Sequence, residues 1–291
     1  MKILLLGKDG QIGFELQKNL KYIGNLISTN RKMLDLEDSK ALCDFLNTIK
    51  PDFLINAAGF TDVDLAEINF RAAVKVNVTA TKIITKYAVK NDIPLIQYSS
   101  SYIFDGLKKT SYLEDDKPNP ISVYGKTKLK GEEEVRKHKK HIILRTNWVF
   151  SNRKNNILVK LLKMIKENKP LFLLTDQYGS PTSANLIAKI TCDIVSKIKI
   201  NNNFNEFGTY NIESNGKITP LIFANEIIKF FNFSHQDIKK ISRTQYYSFA
   251  FRPQNSKLNT NKIQRIFGVN LPDWKVQLRE VIFAKEGFYE N

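Results

Sequence analysis

The sequence predicts an α/β fold in which a doubly wound parallel sheet is joined to a smaller lobe toward the C-terminus. In the first half of the chain, short apolar runs alternate with longer amphipathic stretches, a pattern typical of βαβ units. A glycine-rich stretch follows the first apolar run. Beyond Trp148 the alternation becomes less regular, which indicates that a different structural unit begins there.

The elements can be assigned in chain order. Five apolar runs predict buried strands: Ile3–Leu6, Leu26–Thr29, Phe53–Asn56, Leu95–Tyr98 and Ile142–Thr146. Four amphipathic stretches between them predict helices: Gln11–Tyr22, Ser39–Thr48, Asp64–Val89 and Tyr124–Lys137. The second half predicts helices near Asn156–Glu167, Ala184–Ile198 and Pro220–Phe231 and after Asp273, with strands near Leu171–Leu174 and Thr209–Glu213.

Composition excludes several classes of protein. The 291 residues are 42% apolar and 25% charged, as expected for an ordinary folded protein. The first apolar run is too short for a leader peptide or a membrane span, so we expect a cytoplasmic protein without a membrane partner. Two distant cysteines indicate neither a disulfide framework nor a zinc site. The net charge is +16, but the sequence shows no basic stretch interleaved with aromatic residues. We therefore do not predict nucleic-acid binding.

The glycine-rich stretch predicts a dinucleotide site. Gly7, Gly10, Gln11, Ile12 and Gly13 connect the first strand to the first helix. Glycines there allow a tight turn and a close approach of the backbone, and a helix N-terminus favours a pyrophosphate. The spacing is GxxGxxG rather than GxGxxG, but the strand and helix around it favour a Rossmann-type nucleotide-binding sheet.

The residues after the second strand indicate which nicotinamide cofactor binds. An NAD site places an acid there for the ribose 2′-hydroxyl, whereas an arginine accommodates a 2′-phosphate. This chain has Arg31 and no acid in Ser28–Arg31. We therefore predict NADPH, with NADH as the alternative.

A YxxxK pattern and a run of serines supply candidate catalytic groups. Tyr124 and Lys128 share one face of a predicted helix, and Ser100 follows the fourth strand. A nearby ammonium favours phenolate, so Lys128 is expected to lower the pKa of Tyr124. All three side chains are predicted at the carboxyl edge of the sheet.

Taken together, these motifs resemble the short-chain dehydrogenase/reductase superfamily, in its extended branch, and within it the dTDP-4-dehydrorhamnose reductase family. The matching stretches run along almost the whole chain: Gly7–Leu16, Asn56–Ala58 with Thr61 and Asp64, Tyr98–Gly106, Tyr124–Gly131, Leu144–Phe150, Asp176–Thr182, Arg252–Leu258 and Leu271–Trp274. The resemblance implies NADPH-dependent reduction of the C4 ketone of dTDP-4-dehydro-L-rhamnose. It further implies that Ser100 binds the carbonyl, that Tyr124 donates the proton, and that Lys128 binds the nicotinamide ribose.

The resemblance also implies other binding residues. Cofactor contacts are expected at Asp35, Leu36, Ala57, Ala58 and Asn77. Substrate contacts are expected at Ser100, Ser101, Trp148, Arg252 and Asn255, with Arg252 facing the diphosphate. These assignments divide the chain into an NAD(P)-binding domain, 1–150, and a mainly substrate-binding lobe, 151–291, with segments near 171–215 and 250–265 returning to the first domain.

Two departures from the family pattern limit these expectations. Ser101 stands where the family usually has Asp, and the missing Asp-Glu pair argues against a dehydratase. Asn185 replaces one of three acids that would bind magnesium with Glu15 and Asp273, so we predict no metal site and leave monomer and homodimer open. The alternatives are a reductase of another nucleotide-linked 4-keto-6-deoxy sugar and a non-catalytic NADP-binding regulatory subunit.

Overall fold

A computed structural model describes residues 1–153, 156–201, 203–233 and 237–284. The strands in these ranges are β1 (Lys2–Leu6), β2 (Asn25–Thr29), β3 (Phe53–Asn56), β4 (Leu95–Ser100), β5 (His141–Thr146), β6 (Val149–Phe150), β7 (Leu171–Leu174), β8 (Thr182–Ser183), β9 (Gly208–Asn211) and β10 (Ile238–Ile241). The α-helices are α1 (Gln11–Leu20), α2 (Ser39–Ile49), α3 (Val63–Ile68), α4 (Phe70–Val74), α5 (Thr81–Lys90), α6 (Val123–Val135), α7 (Ile157–Lys166), α8 (Ala184–Ile200), α9 (Pro220–Phe230), α10 (Asn261–Phe267) and α11 (Trp274–Phe283).

Six strands form one parallel sheet in the order β2-β1-β3-β4-β5-β9. The chain runs outward from β1 to β2 and then crosses back to β3, so the winding direction reverses between β1 and β3. In sheets of this kind, ligands bind beyond the carboxyl ends of the strands at such a reversal. The predicted Rossmann-type doubly wound sheet is confirmed.

Helices cover both faces of this sheet because side chains alternate along each buried strand. Ile3 and Leu5 point to one face and pack with residues of α1, α8 and α10. Leu4 and Leu6 point to the other face and pack with residues of α2, α5 and α6. Burial on both faces explains why the strands are read in the sequence as continuous apolar runs.

A second apolar cluster lies in the later part of the chain. It joins residues of α7, α9, α11 and β7, including Phe223 and Trp274. Strands β7 and β10 form a small parallel sheet of their own, and β6 pairs with β8. The division of the chain into two domains at residue 150 stays a prediction. The last residues of the predicted substrate-binding lobe, 285–291, lie outside the described ranges.

The long helix predicted over Asp64–Val89 is the main error in the predicted elements. The structure divides this stretch into α3, α4, a π-helical turn at Lys75–Ala80, and α5. Asn69 causes the first break, since its backbone is non-helical and its side chain accepts the N–H of Ala72 at 3.3 Å. The π-helical turn contains Asn77, which is buried.

A buried ion pair attaches α6 to the sheet. Glu132 on α6 accepts hydrogen bonds from Nε and Nη2 of Arg145 on β5 at 3.0 and 2.8 Å. Both side chains are 0% exposed. Burial raises the pKa of Glu132, but the hydrogen bonds and charge of Arg145 outweigh it and leave the pKa below its ordinary value. The pair therefore stays charged.

Glu132→Gln should lower the free energy of unfolding by about 3–5 kcal/mol, because Arg145 would keep a buried charge without its partner. Denaturant unfolding measures this loss. Glu134→Gln on the same helix is the matched control, since its partner Lys137 is 62% exposed, and it should change stability by less than about 1 kcal/mol. Equal losses in the two variants would contradict the role given to the buried pair.

Candidate active site

The loop between β1 and α1 forms a cradle at the carboxyl edge of the sheet. Gly7 has φ +86°, and a Cβ there would lie 2.6 Å from the Ala58 nitrogen. A Cβ at Gly13 would lie 2.1 Å from the Gly7 carbonyl oxygen. Both positions therefore require glycine, and the backbone is open to the close approach that a pyrophosphate needs.

Helix α1 starts at this cradle with Gly10 as its N-cap. No side chain within the described ranges caps its first turn, so the N–H groups at this end suit an anion. Gln11 accepts Ser151 Oγ at 2.9 Å and thereby connects the cradle to the segment after β6. Ile12 and Ala57 both pack against the core on the α1 face of the sheet.

The region after β2 contains the predicted selectivity residue. Arg31 is 74% exposed and lies 2.7 Å from Glu37 and 3.5 Å from Asp35. The structure thus brings Arg31 and Asp35 together, and it adds Glu37, which the sequence analysis missed. Leu36, expected near the adenine, is 8% exposed and belongs to the core.

The turn after β3 forms the opposite wall of the cradle. Ala57 N donates to Leu6 O at 3.0 Å, and Ala58 N donates to Asn56 Oδ1 at 3.2 Å. Asn77 binds the backbone of Phe60 through both ends of its amide, at 2.9 and 3.1 Å. The Asn77 amide also donates to Thr127 Oγ1 at 3.0 Å, which connects this wall to α6.

The three predicted catalytic side chains lie together and are buried. Ser100 ends β4, and Tyr124 and Lys128 lie one turn apart on α6. Ser122 caps this helix by accepting the Gly125 N–H at 3.1 Å. A Cβ at Gly125 would lie 2.1 Å from the Tyr102 carbonyl oxygen, so glycine between the two predicted catalytic residues lets α6 approach the chain beyond β4.

Burial determines the protonation of this group. Burial raises the pKa of Tyr124 to about 12, although the hydrogen bond with Ser100 lowers it in part. Burial also lowers the pKa of Lys128 to about 8, against an opposing effect of the Glu132 charge. Lys128 Nζ donates to the Tyr98 carbonyl at 2.6 Å rather than to the phenol. The expected lowering of the Tyr124 pKa is therefore wrong for the chain by itself, and at neutral pH the phenol carries its proton.

The predicted substrate residues have different environments. Ser101 is fully buried, and its hydroxyl is one of the buried polar atoms that find no hydrogen-bond partner in the described part of the chain. Trp148 has φ +42°, and its ring packs close to Gly179, where a Cβ would lie 2.7 Å from Trp148 Cε2. Asn255 donates to the carbonyls of Lys108 and Thr110 at 2.7 and 2.8 Å. Its amide therefore orders the loop after Gly106.

Arg252 has a partner that the sequence analysis did not identify. Its Nη2 donates to Asp64 Oδ2 at 2.5 Å. Burial raises the pKa of Tyr102 and the nearby Arg252 charge lowers it in part, so the guanidinium lies beside this phenol. The Tyr102 ring meets the Tyr124 ring edge-on, with 5.9 Å between centroids. Tyr102 is thus a site residue that was missed, although it lies two positions after Ser100.

A buried carboxylate was missed as well. Glu213, just beyond β9, accepts Asn147 Nδ2 at 2.9 Å, Lys257 Nζ at 2.6 Å and the Leu258 N–H at 2.9 Å. It thereby joins the turn before Trp148 to the segment that follows Arg252. No sequence motif marked Glu213, because its partners lie far apart along the chain.

The parallel sheet, the glycine cradle and the Ser-Tyr-Lys group define an extended short-chain dehydrogenase/reductase. The chain belongs to the family described as "RmlD substrate binding domain", whose sequence model matches residues 1–286.

Curated relatives and solved structures match over nearly their full length. The chain is 36% identical to the dTDP-4-dehydrorhamnose reductase of Shigella flexneri and 34% identical to that of Escherichia coli, over 97% of each chain. It is also similar to a crystal structure of this reductase from Clostridium acetobutylicum, with a TM-score of 0.90 and 31% identity over 97% of this chain and 98% of the other. A Bacillus anthracis reductase solved in complex with NADP has a TM-score of 0.87 and 26% identity over 98% of this chain and 99% of the other.

The acids considered for magnesium have other partners. Glu15 lies 3.1 Å from Lys18, and Asp273 caps α11 by accepting the Lys275 N–H at 2.8 Å. Across the described residues, His, Cys, Asp and Glu form no group of three placed to hold a metal ion. None of the helices in these ranges is long and apolar enough to cross a membrane.

Lys128→Met should raise the free energy of unfolding at pH 7 by on the order of 1–3 kcal/mol, because the buried ammonium is disfavoured in the folded state. The folded pKa is lowered to about 8 from 10.5, so the penalty is complete below pH 8. It should disappear as the pH rises toward 10.5, since the wild-type amine is then neutral in both states.

Denaturant unfolding at pH 7 and at about pH 10 measures both effects. Lys126→Met, on the exposed side of the same helix, is the control and should show neither. A Lys128→Met variant less stable than wild type at pH 7 would contradict the burial penalty.

Proposed function

We propose that this protein reduces the C4 ketone of dTDP-4-dehydro-L-rhamnose with NADPH and gives dTDP-L-rhamnose, a step in the synthesis of nucleotide sugars for surface polysaccharides. The observation that carries the proposal is the buried Ser100, Tyr124 and Lys128 group beside the glycine cradle. The names of the full-length relatives, and the NADP complex of one of them, support the substrate and the cofactor.

The cradle fits a dinucleotide. The α1 N-terminus with Gly7, Gly10, Gln11, Ile12 and Gly13 would hold the pyrophosphate, and Ala57, Ala58 and Asn77 would line the nicotinamide side. Arg31, with Asp35 and Leu36 nearby, would face the adenosine end. The reduced nicotinamide, when bound, supplies the hydride.

The chain's own side chains handle the proton and the carbonyl. Tyr124, protonated at neutral pH because burial raises its pKa to about 12, donates its proton to the carbonyl oxygen as negative charge develops there. Ser100 donates a hydrogen bond to the same oxygen. Lys128 would bind the nicotinamide ribose, and its positive charge would stabilise the phenolate that Tyr124 becomes.

The remaining substrate contacts follow from position. Ser101 and Trp148 would meet the sugar, and the segment from Arg252 to Asn255 would border the nucleotide. Because both reactants are small cytoplasmic metabolites, we propose a cytoplasmic enzyme, which acts as a monomer or a homodimer.

The test is loss of NADPH absorbance with dTDP-4-dehydro-L-rhamnose, generated in place by the preceding enzymes. We expect rapid oxidation that depends on the sugar. Binding of NADPH without turnover would refute the proposed activity. Turnover confined to another nucleotide-linked keto sugar would refute the proposed substrate.

Tyr124→Phe should reduce kcat by roughly 10²–10⁴-fold, since a positioned acid contributes about that much. The dissociation constant for NADPH should stay within about two-fold, because the phenyl ring keeps its packing. Stopped-flow turnover and fluorescence titration measure the two quantities. Tyr87→Phe on α5 is the matched control, and an unchanged kcat in Tyr124→Phe would remove this residue from the chemistry.

Arg31→Ala should weaken NADPH by about ten-fold or more, because a charge-assisted contact to the 2′-phosphate is lost. Binding of NADH, which lacks that phosphate, should change by less than about two-fold and is the internal control. Equilibrium titration with each cofactor decides the matter, and equal losses would count against a 2′-phosphate contact.

A further inference from the structure

The short helix α3 carries a carboxylate that holds a distant segment of the chain. Asp64 accepts hydrogen bonds from Nη2 of Arg252 at 2.5 Å and from Nη1 at 3.3 Å. The same carboxylate accepts the backbone N–H of Ala250 at 3.0 Å. One side chain therefore fixes both the backbone and the guanidinium of a segment about 190 residues further along the sequence.

The ionised state of Asp64 strengthens its hydrogen bonds with Arg252 and Ala250. Burial raises the pKa of Asp64, but hydrogen bonds from Arg252 and the Ala250 amide, with the guanidinium charge, outweigh it and leave the pKa below its ordinary value. The carboxylate is thus ionised at neutral pH and forms a bidentate pair, the strongest arrangement for this side-chain combination. The two guanidinium nitrogens that would face a diphosphate are already bound to Asp64.

The pair is connected to the catalytic group through one intervening side chain. Burial raises the pKa of Tyr102, whereas Arg252 and Gln177 lower it in part, so both side chains lie beside this phenol. The Tyr102 ring in turn packs edge-on against Tyr124. Tyr102 therefore neighbours both Tyr124 and Arg252.

The segment held by Asp64 exposes four aromatic rings. Tyr246, Tyr247, Phe249 and Phe251 are 41%, 86%, 60% and 79% exposed. Beyond them, Asp176 Oδ1 accepts the Arg243 N–H at 2.8 Å. The aromatic segment, residues 246–252, is therefore fixed near both ends, with its rings between the anchors. Nucleobases stack on exposed aromatic rings.

We propose that Asp64 is a positioning residue, which holds Arg252 and the aromatic segment in the arrangement that receives the nucleotide part of the substrate. This inference rests on the proposed function for the identity of the nucleotide. Asp64 acts through Arg252 and Ala250 and need not touch the substrate. If Asp64 instead competed with the diphosphate for Arg252, removal of its charge would tighten dTDP binding rather than weaken it.

The test uses Asp64→Asn, which keeps the size of the side chain and removes its charge, with dTDP as the probe in the presence of NADPH. We expect dTDP to bind about ten-fold more weakly, in line with the loss of hydrogen bonds between charged groups. NADPH binding should stay within two-fold. KM for the sugar nucleotide should rise by a similar factor while kcat changes little. Asp44→Asn, on the exposed side of α2, is the matched control.

Limited digestion with chymotrypsin reports on the segment directly. Cleavage after Tyr247, Phe249 or Phe251 should be faster in Asp64→Asn, and dTDP should protect the wild-type chain. A structural role elsewhere in the fold would not produce cleavage confined to these sites. The pattern can be read by mass spectrometry of the fragments.

A second variant keeps the test independent of folding defects in the first. Arg252→Lys retains the charge but cannot form the bidentate pair, so it should weaken dTDP by a similar factor. The double variant, Asp64→Asn with Arg252→Lys, should lose no more than either single variant, because both remove the same interaction. Additive losses would overturn the proposal.

Other outcomes also decide whether Asp64 positions the nucleotide-binding segment. Tighter dTDP binding by Asp64→Asn would show competition and overturn the positioning role. Unchanged dTDP binding, KM and digestion, in a wild-type enzyme that turns over the sugar, would overturn this inference and leave the proposed function intact. Selective weakening of dTDP in a chain that oxidises no NADPH would support the inference and remove the proposed function. A wild-type chain that does not bind dTDP would overturn both.

Discussion

The geometry of the candidate active site depends on how helix α6 is held against the sheet, and the buried pair between Glu132 and Arg145 fixes that position. Tyr124 and Lys128 lie on the same helix, so their distance from Ser100 at the end of β4 follows from this attachment. Two glycines let the helix come close enough. A Cβ at Gly125 would meet the Tyr102 carbonyl at 2.1 Å, and one at Gly131 would meet the Asn77 carbonyl at 2.5 Å. The charged pair adds a directional contact to the apolar packing of Val135 on the same helix.

The two sides of the site are built differently. The side proposed for the cofactor consists largely of backbone, in which the turns after β1 and β3 pack closely at Gly7 and Ala58. The side proposed for the substrate is held by charged side chains whose partners are distant in sequence, such as Asp64 with Arg252 and Glu213 with Lys257. A rigid backbone suits a ligand that many enzymes share. Side-chain contacts can differ between relatives and so suit the part of the site that selects a substrate.

The sequence alone predicted the sheet and the glycine cradle, because both depend on local patterns. Apolar runs predict buried strands, and glycines predict a turn that no other residue fits. It did not predict the break at Asn69, where a side-chain cap overrides a helical pattern, or the pairing of Arg252 with Asp64, where the partners are brought together only by the fold. The predicted direction of the Tyr124 pKa shift was also wrong, because burial raises the pKa of the phenol and the Lys128 ammonium donates to the Tyr98 carbonyl instead.

In the proposed reaction, the side chains around Tyr124 direct hydride from a nicotinamide to a sugar ketone and protonate the resulting oxygen. Turnover of dTDP-4-dehydro-L-rhamnose with NADPH that carries deuterium at the transferred position of C4, with the product examined by NMR, shows where the hydride goes. We expect one deuterium atom, bound at sugar C4, and a single configuration at that carbon. Product without deuterium at C4, or deuterium at another sugar carbon, would contradict it.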